Sequence, residues 1–142
     1  MAREVIVRET IESHLAGWDA AYIQGDAYGY LGHRVPDETG EYDRNLRFYL
    51  SFMNMTEVLE SKTIIQEFAL EAAEARVTIR VDEKLVIRFH NVVRFKSFVT
   101  WLARFVFVSY EIRRLVWLET SEGWLCKSDD TVSSRVRVRR NG

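Results

Sequence analysis

Trp18-Asp19-Ala20-Ala21-Tyr22-Ile23-Gln24-Gly25-Asp26-Ala27-Tyr28-Gly29-Tyr30-Leu31 is the stretch on which the reading of the fold turns. Traced back from it, Ile11, Leu15, Trp18 and Tyr22 recur at spacings of four, three and four, whereas Glu9, Glu12, Asp19 and Gln24 fall on other faces. That spacing predicts a helix with one apolar stripe. Gly25 supplies its stop, because a glycine tolerates the left-handed conformation that closes a helix. Asp26 then caps a short second helix over 27–31, and Gly32-His33-Arg34-Val35-Pro36-Asp37 breaks the chain. Residues 38–43 are polar, contain Gly40 and read as a loop or a short pairing. Leu46, Tyr49, Leu50 and Met53, with no breaker among them, predict a third helix over 44–59.

After Ser61 the period changes from helical to alternating. Segments 64–70, 76–81, 85–95, 101–110, 112–119 and 124–127 are rich in β-branched and aromatic residues and largely alternate with polar ones. In Val77-Thr78-Ile79-Arg80-Val81 the apolar side chains face one way, which marks a half-buried strand of an antiparallel sheet. Residues 82–84 and 120–123 suit hairpin turns, the second with Gly123 for a positive backbone angle. Helices first and strands afterwards predict an α+β domain: three N-terminal helices packed on a strongly curved antiparallel sheet. Such a roll leaves an apolar concavity between its layers, where ligands bind. The expected single domain spans 1–134, and 135–142 is a basic C-terminal tail or edge strand.

Composition narrows the class further. The 142 residues are 47% hydrophobic and include 18 Phe, Trp and Tyr against one Pro, which excludes a disordered chain. The lone Cys126 excludes an internal disulfide and any Cys-rich zinc site. Charges at positions 3, 4, 8 and 9 stand where a signal peptide needs an apolar core. Arg104 interrupts the longest apolar run, so no membrane span is expected. The expected location is cytoplasmic for the sequence as written, with the envelope as the alternative for an excised domain. The net charge of −1 conceals an acidic first half, net −8 over residues 1–75, and a basic second half, net +7 over 76–142. Complementary layers of one domain explain that split, and an isoelectric point of about 6.3 speaks against a nucleic-acid reader.

The quoted stretch resembles the opening of the nuclear transport factor 2-like superfamily, in which a Trp-bearing helix ends in a Gly-Asp step into a short second helix. The run from Arg114-Leu115-Val116-Trp117 through Gly123-Trp124 to Asp129 resembles that superfamily's last hairpin. A weaker similarity links the chain to the accessory domains of this fold in bacterial L,D-transpeptidases. The resemblance implies a cone-shaped roll with a pocket at its open end and a homodimer formed through the outer sheet face. It implies no single chemistry, since the superfamily holds isomerases, dehydratases and hydrolases beside binding modules.

Residues placed to line such a pocket are Trp18, Tyr22, Tyr30, Arg44, Tyr49, His90, Trp101 and Trp117. Tyr22 is the foremost candidate hydroxyl, because a buried phenol requires a partner. An isomerase of the superfamily needs a carboxylate base beside a tyrosine, and Glu67 and Glu111 stand in no such constellation in the sequence. His14, His33 and His90 lack metal-ligand spacing, so no metal and no cofactor are expected. Of the adjacent Arg113 and Arg114, one must point inward and needs an acidic partner or an anionic ligand. The reading therefore leans away from an enzyme, toward a module that binds a small apolar or anionic ligand or dimerises. A small isomerase, dehydratase or hydrolase is the alternative.

Overall fold

A computed structural model describes residues 2–36, 39–88 and 104–140. Helix α1 spans Arg3–Gln24, α2 Ala27–Tyr30 and α3 Glu41–Met55; strands β1 Thr56–Glu71, β2 Glu74–Ile87, β3 Phe105–Thr120 and β4 Gly123–Arg140 follow. The strands form one antiparallel sheet in the order β1-β2-β3-β4, curved around the helices.

The apolar stripe of α1 is the spine of the core. Val7, Ile11, Leu15, Trp18 and Tyr22 are all buried, packed against Ala75, Val77, Ile79 and Val81 of β2 and Leu115 and Trp117 of β3. Gly25 closes the helix at φ 73°, with its own N–H on the Tyr22 carbonyl and that of Asp26 on Ala21. The Asp26 carboxylate then accepts the Gly29 N–H at 3.0 Å and starts α2. Polar bonds fix the helix to the sheet: Asp19 accepts the Ser61 hydroxyl at 2.7 Å and the Thr63 N–H at 2.9 Å.

Four expectations need correction. The third helix ends at Met55, not at 59, because Thr56 already pairs with Ile87 in the sheet. No Gly or Pro marks that switch, so the sequence carried no breaker; the β-branched Thr56 and Val58 begin the ladder instead. Its start lies earlier than expected, with Gly40 at φ 79° preceding Glu41, so Glu41 and Asp43 belong to the first helical turn and not to a loop. Residues 82–84 form no turn: β2 runs through them, with Glu83 opposite both Ser61 and Ser109. Nor does the chain break between Tyr110 and Ile112; β3 continues across Glu111, paired on both edges. In each strand case a polar residue that looked like punctuation is an inward side chain of a continuous strand.

Strand β4 is an edge, and it carries residues 135–140 in register with 105–110 of β3. Two register shifts along this pair, at Ile112/Arg113 and Val116/Trp117, bend the edge strand. No helix among the described residues is long and apolar enough to cross a membrane.

Candidate functional site

The inner face of the sheet changes character along its length. On β2 the inward positions run Val77, Ile79, Val81, Glu83 and Leu85; on β3 they run Trp117, Leu115, Arg113, Glu111 and Ser109. The first members of each series are fully buried hydrocarbon, and the later ones open onto a cavity of about 830 Å³. Opposite them, α1, α2 and α3 present Tyr22, Tyr30, Phe48, Tyr49 and Phe52. The Tyr22 and Phe52 rings lie 9° from parallel at 6.4 Å, Phe48 stacks on Phe52 at 5.7 Å, and Tyr30 meets Tyr49 edge-on at 4.8 Å. Helix α3 buries no residue fully because its inner face is the cavity's aromatic wall.

Arg113 is the inward member of the arginine pair, 6% exposed, and Arg114 points to solvent. Its partner is Asp129 on β4: the Nε donates to Oδ1 at 2.8 Å, and a terminal nitrogen donates to Oδ2. A second guanidinium converges on the same carboxylate. Arg34 donates to Asp129 Oδ2 at 3.2 Å and lies 4.1 Å above the Trp18 ring. Its position is set by the backbone, since residues 33–35 run beside β4 with Cys126 N–H on the His33 carbonyl and Val35 N–H on the Cys126 carbonyl. Burial pushes the Asp129 carboxyl up, but the hydrogen bonds and charge of Arg113, then those of Arg34, outweigh it and hold it below its ordinary value. Arg113 correspondingly stays charged despite its burial.

Glu83 behaves in the opposite way. Burial first, and then the charge of Glu111, push its pKa up to about 7; the charge of Arg113 and the polar contact with the Tyr22 hydroxyl offset only part of this. Glu83 and Glu111 occupy diagonal inward positions on neighbouring strands, close enough for one charge to oppose the other. Tyr22 and Tyr49 are pushed above the ordinary tyrosine range, chiefly by burial, so both remain protonated donors. The cavity thus pairs a corner in which Arg34 and Arg113 are clamped on Asp129 with a carboxyl, Glu83, whose pKa is raised to about 7.

Of the residues expected at the pocket, Tyr22, Tyr30 and Tyr49 line the cavity. Trp18 and Trp117 do not: they stack on each other at 5.3 Å inside the core, behind the cavity wall, because they sit on the helix stripe and the apolar part of β3. Arg44 is exposed on α3 and donates to the Thr39 carbonyl. His90 and Trp101 lie outside the described residues. The sequence reading passed over Glu83, Arg34 and Asp129 as site residues and dismissed Glu111. The signal for Glu83 was present, since the alternation of 77, 79 and 81 continues unbroken through 83 and 85. Nothing local marks Arg34, whose partner is 95 positions away.

An α+β cone with an ionisable cavity at its open end is the class of protein that these elements define. Solved structures of other proteins share this architecture. A Novosphingobium aromaticivorans protein named as an aromatic ring hydroxylase superposes with a TM-score of 0.65 at 12% identity over 95% of this chain and 94% of its own. A ketosteroid isomerase-like protein of Erwinia carotovora atroseptica gives 0.63 at 14% identity over 94% and 99%. A Streptomyces avermitilis protein named as a dehydratase of the NTF2-like family gives 0.57 at 13% identity over 89% and 95%. The chain has the nuclear transport factor 2-like fold. No family model and no curated protein matches its sequence.

Proposed function

We propose that the protein is an acid–base catalyst that moves a proton on a small substrate held in the cone, a reaction of the isomerase or dehydratase type. The observation that carries this reading is Glu83: a carboxyl inside a cavity, in polar contact with Tyr22, whose pKa of about 7 matches the working pH of a general base. The charges around it fit the role. With Glu83 protonated, the two guanidiniums of Arg34 and Arg113 stand against the carboxylates of Asp129 and Glu111. Ionised Glu83 adds an excess negative charge, which is relieved when it takes a proton from a substrate carbon or oxygen. The Tyr22 hydroxyl, held protonated, is then a donor for the negative oxygen that forms. Neighbours of the same fold named as isomerase-like and as a dehydratase agree with this class of chemistry.

The test is deuterium uptake from D2O into 2-tetralone, a ketone with an aromatic body and an activated C–H, followed by proton NMR. The expected result is exchange above buffer background, rising with pH through an inflection near 7, and reduced about 10² to 10⁴-fold in Glu83→Gln. Wild-type exchange no faster than buffer, or a Glu83→Gln variant as active as wild type, overturns the reading. Assembly through the outer sheet face is a separate proposal, favoured by the exposed Ile64 there. Native mass measurement decides it, a monomer at micromolar concentration being the contrary result.

A further inference from the structure

We propose that the corner formed by Arg34, Arg113 and Asp129 is the seat for one carboxylate group of the substrate, and that this carboxylate is carried on a planar aromatic body. The inference rests on the reading of the cone as the substrate site and adds the class of molecule it takes.

The hydrogen-bond accounting at Asp129 is the starting point. Its Oδ1 is taken by Arg113 Nε, and its Oδ2 by nitrogens of both Arg113 and Arg34. One carboxylate therefore serves two guanidiniums. Among the described residues Arg34 is left with donors to spare: its second terminal nitrogen reaches only the Tyr30 carbonyl, at 3.5 Å, the edge of hydrogen-bond range. Its buried Nε has no partner among the described residues. Glu111 acts on Arg113 through its charge but makes no hydrogen bond to either arginine among the described residues. Glu41, Lys127 and Asp130 also line the cavity, and all three are exposed, where water screens their charges.

Two guanidiniums hydrogen-bonded to a single carboxylate leave a donor in a partly buried corner that only a further acceptor completes. The terminal nitrogen of Arg34 that meets Tyr30 so loosely suits a carboxylate oxygen, to which a guanidinium donates a charge-assisted hydrogen bond. Arg34 is also held ready to receive it. Its guanidinium rests on the Trp18 ring, and that indole is itself fixed by Nε1 donating to the Gly32 carbonyl at 2.9 Å. Little side-chain freedom remains to be lost on binding. The body attached to the carboxylate is indicated by the facing wall. Phe52 is flanked by near-parallel Tyr22 and Phe48, and Phe48 is 59% exposed toward the cavity's mouth. A stepped stack of rings with a free outer face accepts another flat ring.

Binding of 2-naphthoate and of its neutral isostere 2-naphthamide, measured by isothermal titration on the whole chain, tests this. The expected result is that naphthoate binds at least tenfold more tightly than naphthamide. Arg34→Gln is expected to bring the two within about twofold, and Glu83→Gln is expected to keep the preference. Where Arg34→Gln does not fold, Arg34→Lys is expected to weaken naphthoate binding at least fivefold, because a point charge cannot replace the planar guanidinium. Equal binding of the two ligands to wild type overturns the carboxylate seat while leaving proton transfer by Glu83 standing. Unchanged naphthoate binding in the Arg34 variant also overturns it, as does loss of the preference in Glu83→Gln. Absence of binding by both ligands overturns the seat and, with it, the reading of the cone as a site for aromatic substrates.

Discussion

The two ends of the sheet's inner face are built from the same strands with the same alternation, yet one is core and the other is site. At the closed end Val77, Ile79, Leu115 and Trp117 are each at most 2% exposed and face the stripe of α1. At the open end the next inward positions of the same two strands are Glu83, Glu111 and Arg113. The difference lies in what stands opposite. Helix α1 presses hydrocarbon onto the first set, and shape alone determines their stability. The second set faces a cavity, so each charge must be matched by another charge or by a shifted pKa.

The sharpest way to break this comparison is Asp129→Ala, which strands Arg113 in its buried position. Urea unfolding is expected to show a loss of about 3–5 kcal/mol; a loss below about 1 kcal/mol would mean that water already screens the open end. Asp129 also gives that end an acid limit. Its carboxyl is held below its ordinary value in the fold, so its contribution is present above the unfolded pKa and is lost as pH falls through the folded one.

At the closed end, Leu115→Ala is expected to cost about 2–5 kcal/mol through lost burial and the cavity left behind, with no dependence on pH. Parallel urea curves at pH 5 and pH 8 check both parts. A pH-dependent difference between Leu115→Ala and wild type would show that the two ends are electrostatically coupled.

Glu83 should respond in the opposite sense to Asp129. Its pKa rises from 4.5 to about 7 on folding, so the unfolded chain ionises first as pH increases. Stability from this group is therefore full below about pH 4.5, declines across the window up to 7 and is lost above it, by about 3 kcal/mol in all. Glu83→Gln is expected to flatten that slope in unfolding curves taken between pH 4.5 and 8. A slope unchanged by the substitution would place the titrating group elsewhere.

The smallest effect is expected at neither end. Asp26→Ala removes the cap of α2, the helix that carries Tyr30 to the cavity, and should cost about 1 kcal/mol. Thermal unfolding reads that change, and a null result would mean that packing of Tyr30 alone holds α2 in place.

The legibility of the chain follows the same division. The stripe of α1, the Gly25 stop, the Asp26 cap and the alternation of β2 were readable because each is a local pattern with a fixed period. The end of α3 was not, since no residue there forbids helix and only pairing of Thr56 with Ile87 decides for strand. The misreading of residues 82–84 has the most instructive cause. Polar residues in sequence normally mark a turn, and here Glu83 is polar because it faces a cavity.

What the sequence determined by itself was therefore the order of the elements, the helical spine and the hydrocarbon end of the sheet. Burying an apolar stripe or an alternating face is a local rule that any compact solution must obey. What only the tertiary structure decided was which ionisable groups meet. Arg34, Glu83, Arg113 and Asp129 come from a loop and three strands, and their charges acquire partners and altered proton affinities only when the cone closes. Electrostatics depends on distance in space and on the exclusion of water, and neither is written in the spacing of residues along the chain.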